Sequence, residues 1–239
     1  MDKKILGVIT ARGGSKGLLG KNIKMLGEKP LIAYSIDVAK KSDFITHTIV
    51  STDDQEIAEI ARTYGGDVPF LRPTELATDT VGHVEVMQHA TAFMEEKLGI
   101  VFDYVVIFQP TSPFRTKEDI DGTIKKLIET GADSAVSLVE IDSAYNPVKI
   151  KKMEGDRVLS YCMEELEGLR RQDLPKAYRR SSAVYAMRRE LLMKEGKLYG
   201  DFITGFLTPN ERFIDIDTAD DWERAEKMLK SLRTQGLQF

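Results

Sequence analysis

Short apolar runs alternate with longer segments of helical periodicity along the first 140 residues. The apolar runs predict buried strands at 5–10, 48–52, 104–108 and 134–139. The periodic segments predict helices at 30–39, 53–64, 81–98 and 116–130, the first with Pro30 in its opening turn. This order implies right-handed βαβ crossovers. It therefore predicts a Rossmann-like α/β fold with a mainly parallel sheet flanked by helices.

The pattern changes after residue 140. From 141 to about 182 the predicted strands are short and charges are frequent, which indicates an inserted β-rich segment. Beyond it we expect a strand at 183–187, a loop, a strand at 213–216 and a final helix at 218–232. A length of 239 residues suits a single domain, 1–239, with the 141–182 segment inserted in it.

A glycine-rich motif with three cations, ARGGSKGLLGKN at 11–22, follows the first predicted strand. Glycines such as Gly14 let main-chain amides approach a polyanion, and Arg12, Lys16 and Lys21 add positive charge. The GxxxxGK[ST] and GxGxxG patterns are both absent from the sequence. The motif predicts a phosphate-binding loop of another kind, and the alternative is a flexible basic surface loop.

A loop stiffened by two prolines, Gln109-Pro110-Thr111-Ser112-Pro113, follows the predicted central strand. Gln109 can donate and accept hydrogen bonds, as recognition of a base or a sugar hydroxyl requires. The alternative is a rigid connection without a binding role. Since ligands of open α/β sheets bind beyond the carboxyl ends of the strands, we expect this loop to meet the glycine-rich motif.

Two carboxylates lie near the end of the chain, in Ile214-Asp215-Ile216-Asp217-Thr218. Alternation along a strand places both aspartates on one face and both isoleucines on the other. Paired carboxylates at a strand end favour a hard cation such as Mg²⁺. The alternative is a solvent-facing edge followed by an N-cap at Thr218.

A second group of cations lies in the inserted segment, at Lys149, Arg170, Arg171, Arg179 and Arg180. Guanidinium groups are well shaped to bind a substrate carboxylate. The alternative is a solvated charged turn.

Composition excludes several other classes of function. The net charge of −4 argues against a nucleic-acid partner. The lone cysteine, Cys162, and the three separated histidines match no metal-ligand spacing. No apolar run approaches the roughly 20 residues of a membrane helix, and the first run is too short for a signal peptide. We therefore expect a cytoplasmic protein without a membrane partner.

Together these motifs resemble the acylneuraminate cytidylyltransferases, also called CMP-sialic acid synthetases. The similarity covers nearly the whole length. Its elements follow in the family's order, and they are the N-terminal Ala-Arg-x-Gly-Ser-Lys-Gly…Lys-Asn block, Leu71-Arg72-Pro73…Glu75-Leu76-Ala77-Thr78-Asp79, Gln109-Pro110-Thr111-Ser112-Pro113, Arg171-Gln172-Asp173-Leu174-Pro175 and Asp215-Ile216-Asp217-Thr218. The resemblance implies a fold of the nucleotide-diphospho-sugar transferase type, and transfer of CMP from CTP to the C2 hydroxyl of an acidic nine-carbon sugar.

The resemblance also implies roles for individual residues. Lys21 would stabilise charge on the α-phosphate, and Asp217 would hold Mg²⁺ and could activate the sugar hydroxyl through a metal-bound water. The residues implied are, for the CTP phosphates, Arg12, Gly14, Ser15, Lys16, Lys21 and Asn22; for nucleotide or sugar, Arg72, the segment after Asp79 and Gln109; for Mg²⁺, Asp215 and Asp217; and for the sugar, Lys149, Arg171, Gln172 and Tyr185. A homodimer is implied, because the family's inserted arm crosses to a second subunit, where Arg171 could serve the neighbour's site.

Two departures from the family concern the acceptor. Arg179-Arg180-Ser181-Ser182-Ala183 stands where the family usually has Arg-Pro-Asn-Gly-Ala, near the expected sugar pocket. Positions 81–83 read Val-Gly-His where small hydroxyl residues are frequent. N-acetylneuraminic, legionaminic and pseudaminic acids are all candidate acceptors. The alternatives are a nucleotidyltransferase for another sugar acid such as KDO, and a non-catalytic nucleotide-binding protein on the same scaffold.

Overall fold

Six strands form the central sheet of the computed structural model, which describes residues 3–14, 17–164, 168 and 170–239. In chain order the strands are β1 Ile5–Thr10, β2 Met25–Leu26, β3 Lys29–Pro30, β4 His47–Ser51, β5 Tyr104–Phe108, β6 Ser134–Glu140, β7 Lys151–Glu154, β8 Arg157–Ser160, β9 Tyr178–Arg188 and β10 Ile203–Leu207. The central sheet has the order β10-β6-β9-β5-β1-β4. The short strands pair separately, β2 with β3 and β7 with β8.

The sheet is mainly parallel. β1 pairs in parallel with β4 and β5, and β10 pairs in parallel with β6. β9 is antiparallel to both of its neighbours, β5 and β6, so it alone reverses the direction. The predicted Rossmann-like α/β fold is therefore confirmed, with one antiparallel strand inside the sheet.

Helices cover both faces of this sheet. They are α1 Leu31–Ala39, α2 Gln55–Thr63, α3 His83–Leu98, α4 Lys117–Thr130, α5 Arg189–Glu195 and α6 Ala219–Thr234. Alternate residues of β1 point to opposite faces. Ile5 and Ile9 belong to the cluster that includes α1, α2 and α4, whereas Leu6 and Val8 belong to the cluster that includes α3 and α5. Burial on both faces explains why β1 is apolar at consecutive positions.

Capping residues explain small differences between the predicted and observed helix bounds. Asp54 caps α2 by accepting a hydrogen bond from the main-chain N–H of Ile57 at 3.0 Å. Thr116 and Thr218 form capping boxes before α4 and α6. A cap residue has extended rather than helical backbone, so helices predicted from the cap itself begin one or two residues early.

Two predictions for the C-terminal third are wrong. The segment predicted as a loop contains helix α5 and the sixth strand of the central sheet, β10, and 213–216 forms no strand. Ile214 and Ile216 are nevertheless buried, because they pack in a cluster with Trp222 of α6. The main-chain N–H of Ile216 donates to the Thr111 oxygen at 2.9 Å instead of entering a sheet ladder. The predicted alternation, with both isoleucines on one face and both aspartates on the other, was correct, but it arises from an extended segment that packs against α6.

None of the helices in the described part of the chain has the length and apolar character needed to span a membrane.

Candidate active site

A cavity of about 680 Å³, called the main cavity below, opens beyond the carboxyl ends of β1 and β5. Thr10 ends β1, and Gln109 and Thr111 follow β5. Because β9 runs the other way, Tyr185 pairs with Ile107 near the carboxyl end of β5, and Ser182 and Tyr185 reach the same edge of the sheet. The cavity brings together eight residues selected from the sequence, namely Arg12, Lys21, Asn22, Arg72, Gln109, Tyr185, Asp215 and Asp217.

Lys21 joins the glycine-rich loop to the C-terminal aspartates. Its ammonium donates to Asp217 Oδ1 and to the main-chain oxygen of Ile216, both at 2.8 Å. The Lys21 side chain is 11% exposed and that of Asp217 is 69% exposed. Gly17 packs so closely that a Cβ there would collide with the main-chain oxygen of Asp217. The two ends of the chain therefore form one continuous wall of the cavity.

Arg12 and Asn22 are held by bonds that orient them around the same loop. Arg12 Nη1 donates to Asp79 Oδ1 at 2.9 Å, and the pair is partly exposed. Asn22 is buried, and its side-chain amide donates to the main-chain oxygen of Arg12 at 3.0 Å. Asn22 thus fixes the backbone from which the Arg12 guanidinium extends into the cavity.

Arg72 is a buried cation on the β4 side of the cavity. Its Nη2 donates to the main-chain oxygen of Ser51 at 2.7 Å. Burial lowers the pKa of the Arg72 guanidinium, and the nearby Asp53 carboxylate opposes this effect. An arginine stays protonated in proteins, so Arg72 supplies a fixed positive charge with little mobility.

His83 lines the cavity beside Gln109, in the segment after Asp79 that the resemblance implied at the nucleotide or sugar, although no catalytic role was expected of it from the sequence. The Gln109 side-chain nitrogen lies 2.8 Å from His83 Nε2. Burial, with a smaller contribution from Arg72, lowers the pKa of His83, which favours a neutral imidazole that accepts this bond. The contact fixes the Gln109 carboxamide. No ligand spacing in the sequence signalled His83, since the pairing depends on the tertiary fold.

Arg115 lies buried behind the same loop. Its guanidinium donates to the main-chain oxygen of Gln109 and, at 2.9 Å, to the Ser35 hydroxyl. Burial lowers the pKa of Arg115 to about 9, while Asp119 and Asp215 act in the opposite direction. The buried Arg115 guanidinium thus holds the main chain at Gln109 and attracts the Asp215 carboxylate.

Asp215 and Asp217 present carboxylates to the cavity from the extended segment before α6. The described residues contain no group of three or more His, Cys, Asp or Glu side chains arranged to hold a metal. Two carboxylates fit Mg²⁺, which is usually bound through one or two carboxylates, substrate phosphates and water. The two carboxylates therefore suit a cation whose coordination shell is completed by the phosphates of a bound nucleotide and by water.

Three of the residues expected at the sugar lie elsewhere in the single chain. Arg171 and Gln172 line a separate, more open cavity of about 600 Å³, where Arg171 Nη2 lies 3.4 Å from Asp142 Oδ1. Lys149 is exposed and lines neither cavity. Gly14 is exposed and does not line the main cavity, and Ser15 and Lys16 lie outside the described residues.

Ser182 is another cavity residue that was not selected from the sequence as a site residue. Its backbone has a φ of +57°, and among the described residues no other non-glycine residue has a positive φ. The departure from the family pattern at 180–182 was the available signal, but the backbone conformation of Ser182 is visible only in the structure.

Comparison with known proteins agrees with this geometry. The protein family described as Cytidylyltransferase matches residues 6–231. The "Post-translational flagellin modification protein B" of Campylobacter coli is 31% identical over 238 residues, covering 99% of each chain. The "CMP-N,N'-diacetyllegionaminic acid synthase" of Legionella pneumophila is 32% identical over 235 residues, covering 95% of this chain and 97% of that protein.

A solved structure has the same fold. It is a CMP:2-keto-3-deoxy-manno-octonic acid synthetase complexed with CTP, with a TM-score of 0.71 and 19% identity. The match covers 98% of this chain and all of the other. The family match spans nearly the whole sequence, including β1, the Gln109 loop and the Asp215–Asp217 segment. The chain therefore belongs to the cytidylyltransferase family.

Proposed function

We propose that the protein transfers CMP from CTP to the C2 hydroxyl of an acidic nine-carbon sugar and releases pyrophosphate. The single observation that supports this most is the meeting of Lys21 and Asp217 at 2.8 Å on the wall of a 680 Å³ cavity. Nucleotidyl transfer uses cations and a carboxylate-bound metal on the same phosphate groups, and this pair brings a cation and a carboxylate to one place. The relatives named above support CMP transfer to a sugar acid.

In this proposal CTP lies on the β1 and β4 side of the cavity. Arg12, Lys21 and Asn22 bind the phosphates together with main-chain amides of the glycine-rich loop, including Gly14, and with Ser15 and Lys16. Arg72 contacts the nucleotide from the neighbouring edge. The support is that Arg12, Lys21, Asn22 and Arg72 line one cavity and that all four side chains donate hydrogen bonds to main-chain oxygens.

The reaction needs no protein nucleophile. The C2 oxygen of the sugar forms a bond to the α-phosphorus, its hydroxyl proton passes to a water held by the Asp217 carboxylate, and the bond between the α-phosphorus and the bridging oxygen breaks so that pyrophosphate leaves. Lys21 and Arg12 stabilise negative charge as it builds on the phosphate oxygens. Asp215 and Asp217 hold Mg²⁺, which when bound neutralises phosphate charge. Gln109 and Tyr185 orient the sugar so that its hydroxyl faces phosphorus.

We further propose that the protein is a cytoplasmic homodimer in which residues 141–182 form the arm between subunits. Three residues expected at the sugar lie away from the main cavity, namely Lys149, Arg171 and Gln172. This placement agrees with a role for them in the partner subunit's sugar site. Met153 and Val158 on the β7–β8 hairpin are each 63% exposed, and burial in an interface would remove this apolar surface from water. A cytoplasmic location would give the protein access to CTP.

A pyrophosphate-release assay tests the reaction. The purified protein is mixed with CTP, MgCl₂ and, in turn, N-acetylneuraminic, legionaminic and pseudaminic acids and KDO. Release with at least one nine-carbon acid, and none without an acceptor, is the expected result. Release with KDO alone would assign another sugar acid. CTP binding without release under any condition would show a non-catalytic nucleotide-binding protein.

The metal role is tested in the same assay. Addition of EDTA should stop turnover, and Asp215→Asn and Asp217→Asn should each lower kcat at saturating CTP while leaving the melting temperature close to that of the wild type. Asp220→Asn is the matched control, since Asp220 is exposed in the first turn of α6 and does not line the cavity. Full activity in both the Asp215→Asn and the Asp217→Asn variant would show that these aspartates do not hold the metal.

Mixing two inactive variants tests the dimer. Arg171→Ala subunits mixed with Asp217→Ala subunits should recover activity if Arg171 acts in the partner subunit's site, because a mixed dimer then contains one intact site. No recovery, in a preparation that light scattering shows to be dimeric, would place Arg171 in its own subunit's site.

A further inference from the structure

Ser182 has an unusual backbone conformation at the edge of the main cavity. Its φ of +57° lies in the left-handed region, where the Cβ of an ordinary residue crowds the main chain and glycine is favoured. A non-glycine residue persists in this region only when its surroundings fix it, and such residues cluster at functional sites. Glycine would avoid this strain, so the presence of a serine with its hydroxyl at position 182 needs an explanation.

Three other serines fix this conformation. The ladder between β6 and β9 shifts register opposite Ser137. The Ser137 hydroxyl accepts hydrogen bonds from the main-chain N–H of Val184 at 2.9 Å and from the Ser181 hydroxyl at 2.6 Å. The Ser112 hydroxyl donates to the main-chain oxygen of Ser181 at 3.3 Å. Ser137 and Ser181 are buried, so this polar network is well protected and holds the residues on both sides of Ser182.

The Ser182 hydroxyl is paired with Tyr185. The Tyr185 hydroxyl donates to Ser182 Oγ at 3.3 Å, and both residues line the main cavity. A serine hydroxyl has one donor and two acceptor lone pairs. The bond from Tyr185 uses one lone pair, which leaves the donor and the second lone pair for a ligand.

The position of this pair in the sheet favours the sugar over the nucleotide. The central sheet has the order β9-β5-β1-β4 on this side. The cations proposed for CTP follow β1 or contact the end of β4, as Arg72 does through the Ser51 oxygen. Ser182 and Tyr185 come from β9, on the opposite side of β5. A ligand that spans the cavity therefore places its second half against the serine–tyrosine pair.

We propose that Ser182 is a specificity-determining residue that hydrogen-bonds a polar substituent of the acceptor sugar, with Tyr185 as its positioning partner. This inference rests on the proposed function. Glycine would be the less strained residue at this position, and it would leave the Tyr185 hydroxyl without the bond to Ser182 and the cavity without this donor. The buried serines hold the Ser182 hydroxyl in place, and the hydrogen bonds of this hydroxyl offset the cost of the left-handed backbone.

Two variants separate the hydroxyl from the strain. Ser182→Gly removes both, and Ser182→Ala removes the hydroxyl while keeping a Cβ in the left-handed region. Both should raise the KM for the preferred acceptor by about tenfold, the effect of one lost hydrogen bond, and change the KM for CTP by less than about twofold. Only Ser182→Gly should also raise the melting temperature, by about 2–4 °C.

A double-mutant cycle with Tyr185→Phe supplies a second measurement. If the two hydroxyls act as one unit, Ser182→Gly should weaken acceptor binding much less in the Tyr185→Phe background than in the wild type. Additive effects on the acceptor KM would show that Tyr185 does not position Ser182, and would overturn that part of the proposal.

The outcomes distinguish this inference from the proposed function. Wild-type turnover together with acceptor KM values within twofold of wild type in both Ser182 variants would overturn the role of Ser182 alone. Absence of wild-type pyrophosphate release with every acid in the panel would overturn the proposed function, and this inference with it.

Discussion

The ammonium of Lys21 lies 2.8 Å from Oδ1 of Asp217, although the two residues are 196 positions apart in the chain. A second bond, to the main-chain oxygen of Ile216, leaves one of the three ammonium donors of Lys21 for a ligand. The pairing holds the lysine at the boundary between the glycine-rich loop and the carboxylate segment. Charge of both signs is therefore in place at the edge of the cavity, as phosphoryl chemistry requires.

Lys21→Met should reduce kcat/KM for CTP by about 10²–10³-fold, because a charge that stabilises the transition state is removed. The fold should persist, since Asp217 is 69% exposed and water can replace its partner. Steady-state pyrophosphate release and circular dichroism measure the two effects. Lys125→Ala is the control, because Lys125 is exposed in an ion pair with Glu129 on α4. A Lys21→Met variant with activity within threefold of wild type would contradict the assignment.

Gly17→Ala tests the close contact between the two ends of the chain. The added Cβ would collide with the main-chain oxygen of Asp217, so either the glycine-rich loop or the carboxylate segment must shift. We expect a lower melting temperature and a lower kcat, both measured on the purified variant. Gly14→Ala is the matched control for stability, since a Cβ at Gly14 meets nothing within 4 Å. Equal melting temperatures of the Gly17→Ala variant and the wild type would show that the contact relaxes at no cost.

The order of the first elements could be predicted from the sequence because local signals agreed there. β1 and β5 are apolar at consecutive positions, and α2 and α4 begin after capping residues, Asp54 and Thr116. The Gln109 loop and the glycine-rich motif also met in one cavity as expected, because the strands before them, β5 and β1, are parallel and end at one edge of the sheet. These inferences needed only local pattern and a general rule of topology.

The features that could not be predicted depend on tertiary contacts. β10 is a partly exposed edge strand, and its residues Ile203–Leu207 carry no strong alternation. The bond between His83 and Gln109, and the left-handed backbone of Ser182, arise from elements that are distant in sequence or from a register shift between β6 and β9. Periodicity contains no information about such contacts.

The ion pair between Arg212 and Asp119 gives a prediction about stability. Arg212 donates to both carboxylate oxygens, at 2.5 and 3.0 Å, and the side chains are 13% and 4% exposed. Arg212→Ala should lower the free energy of unfolding by about 3–5 kcal/mol, because a buried carboxylate loses its positively charged partner. Urea denaturation measures this loss.

Arg224→Ala provides the control for that measurement, since Arg224 pairs with Asp221 at 3.4 Å on the exposed side of α6. Its effect should stay below about 1 kcal/mol. Similar losses in the two variants would show that burial does not strengthen the pair between Arg212 and Asp119.

His83 predicts a dependence of stability on pH. Burial and Arg72 lower the pKa of His83 in the folded protein, so the unfolded chain binds a proton more readily. Stability from this group is fully present above the unfolded pKa of about 6.5, and it is lost as the pH falls from there toward the lower folded pKa. His83→Gln keeps a hydrogen-bonding partner for Gln109 and cannot titrate. Its free energy of unfolding, measured by urea denaturation between pH 7 and 5, should fall less steeply than that of the wild type, by up to about 1.4 kcal/mol per pH unit. Parallel curves for the two proteins would mean that His83 binds a proton equally well in the folded and unfolded states.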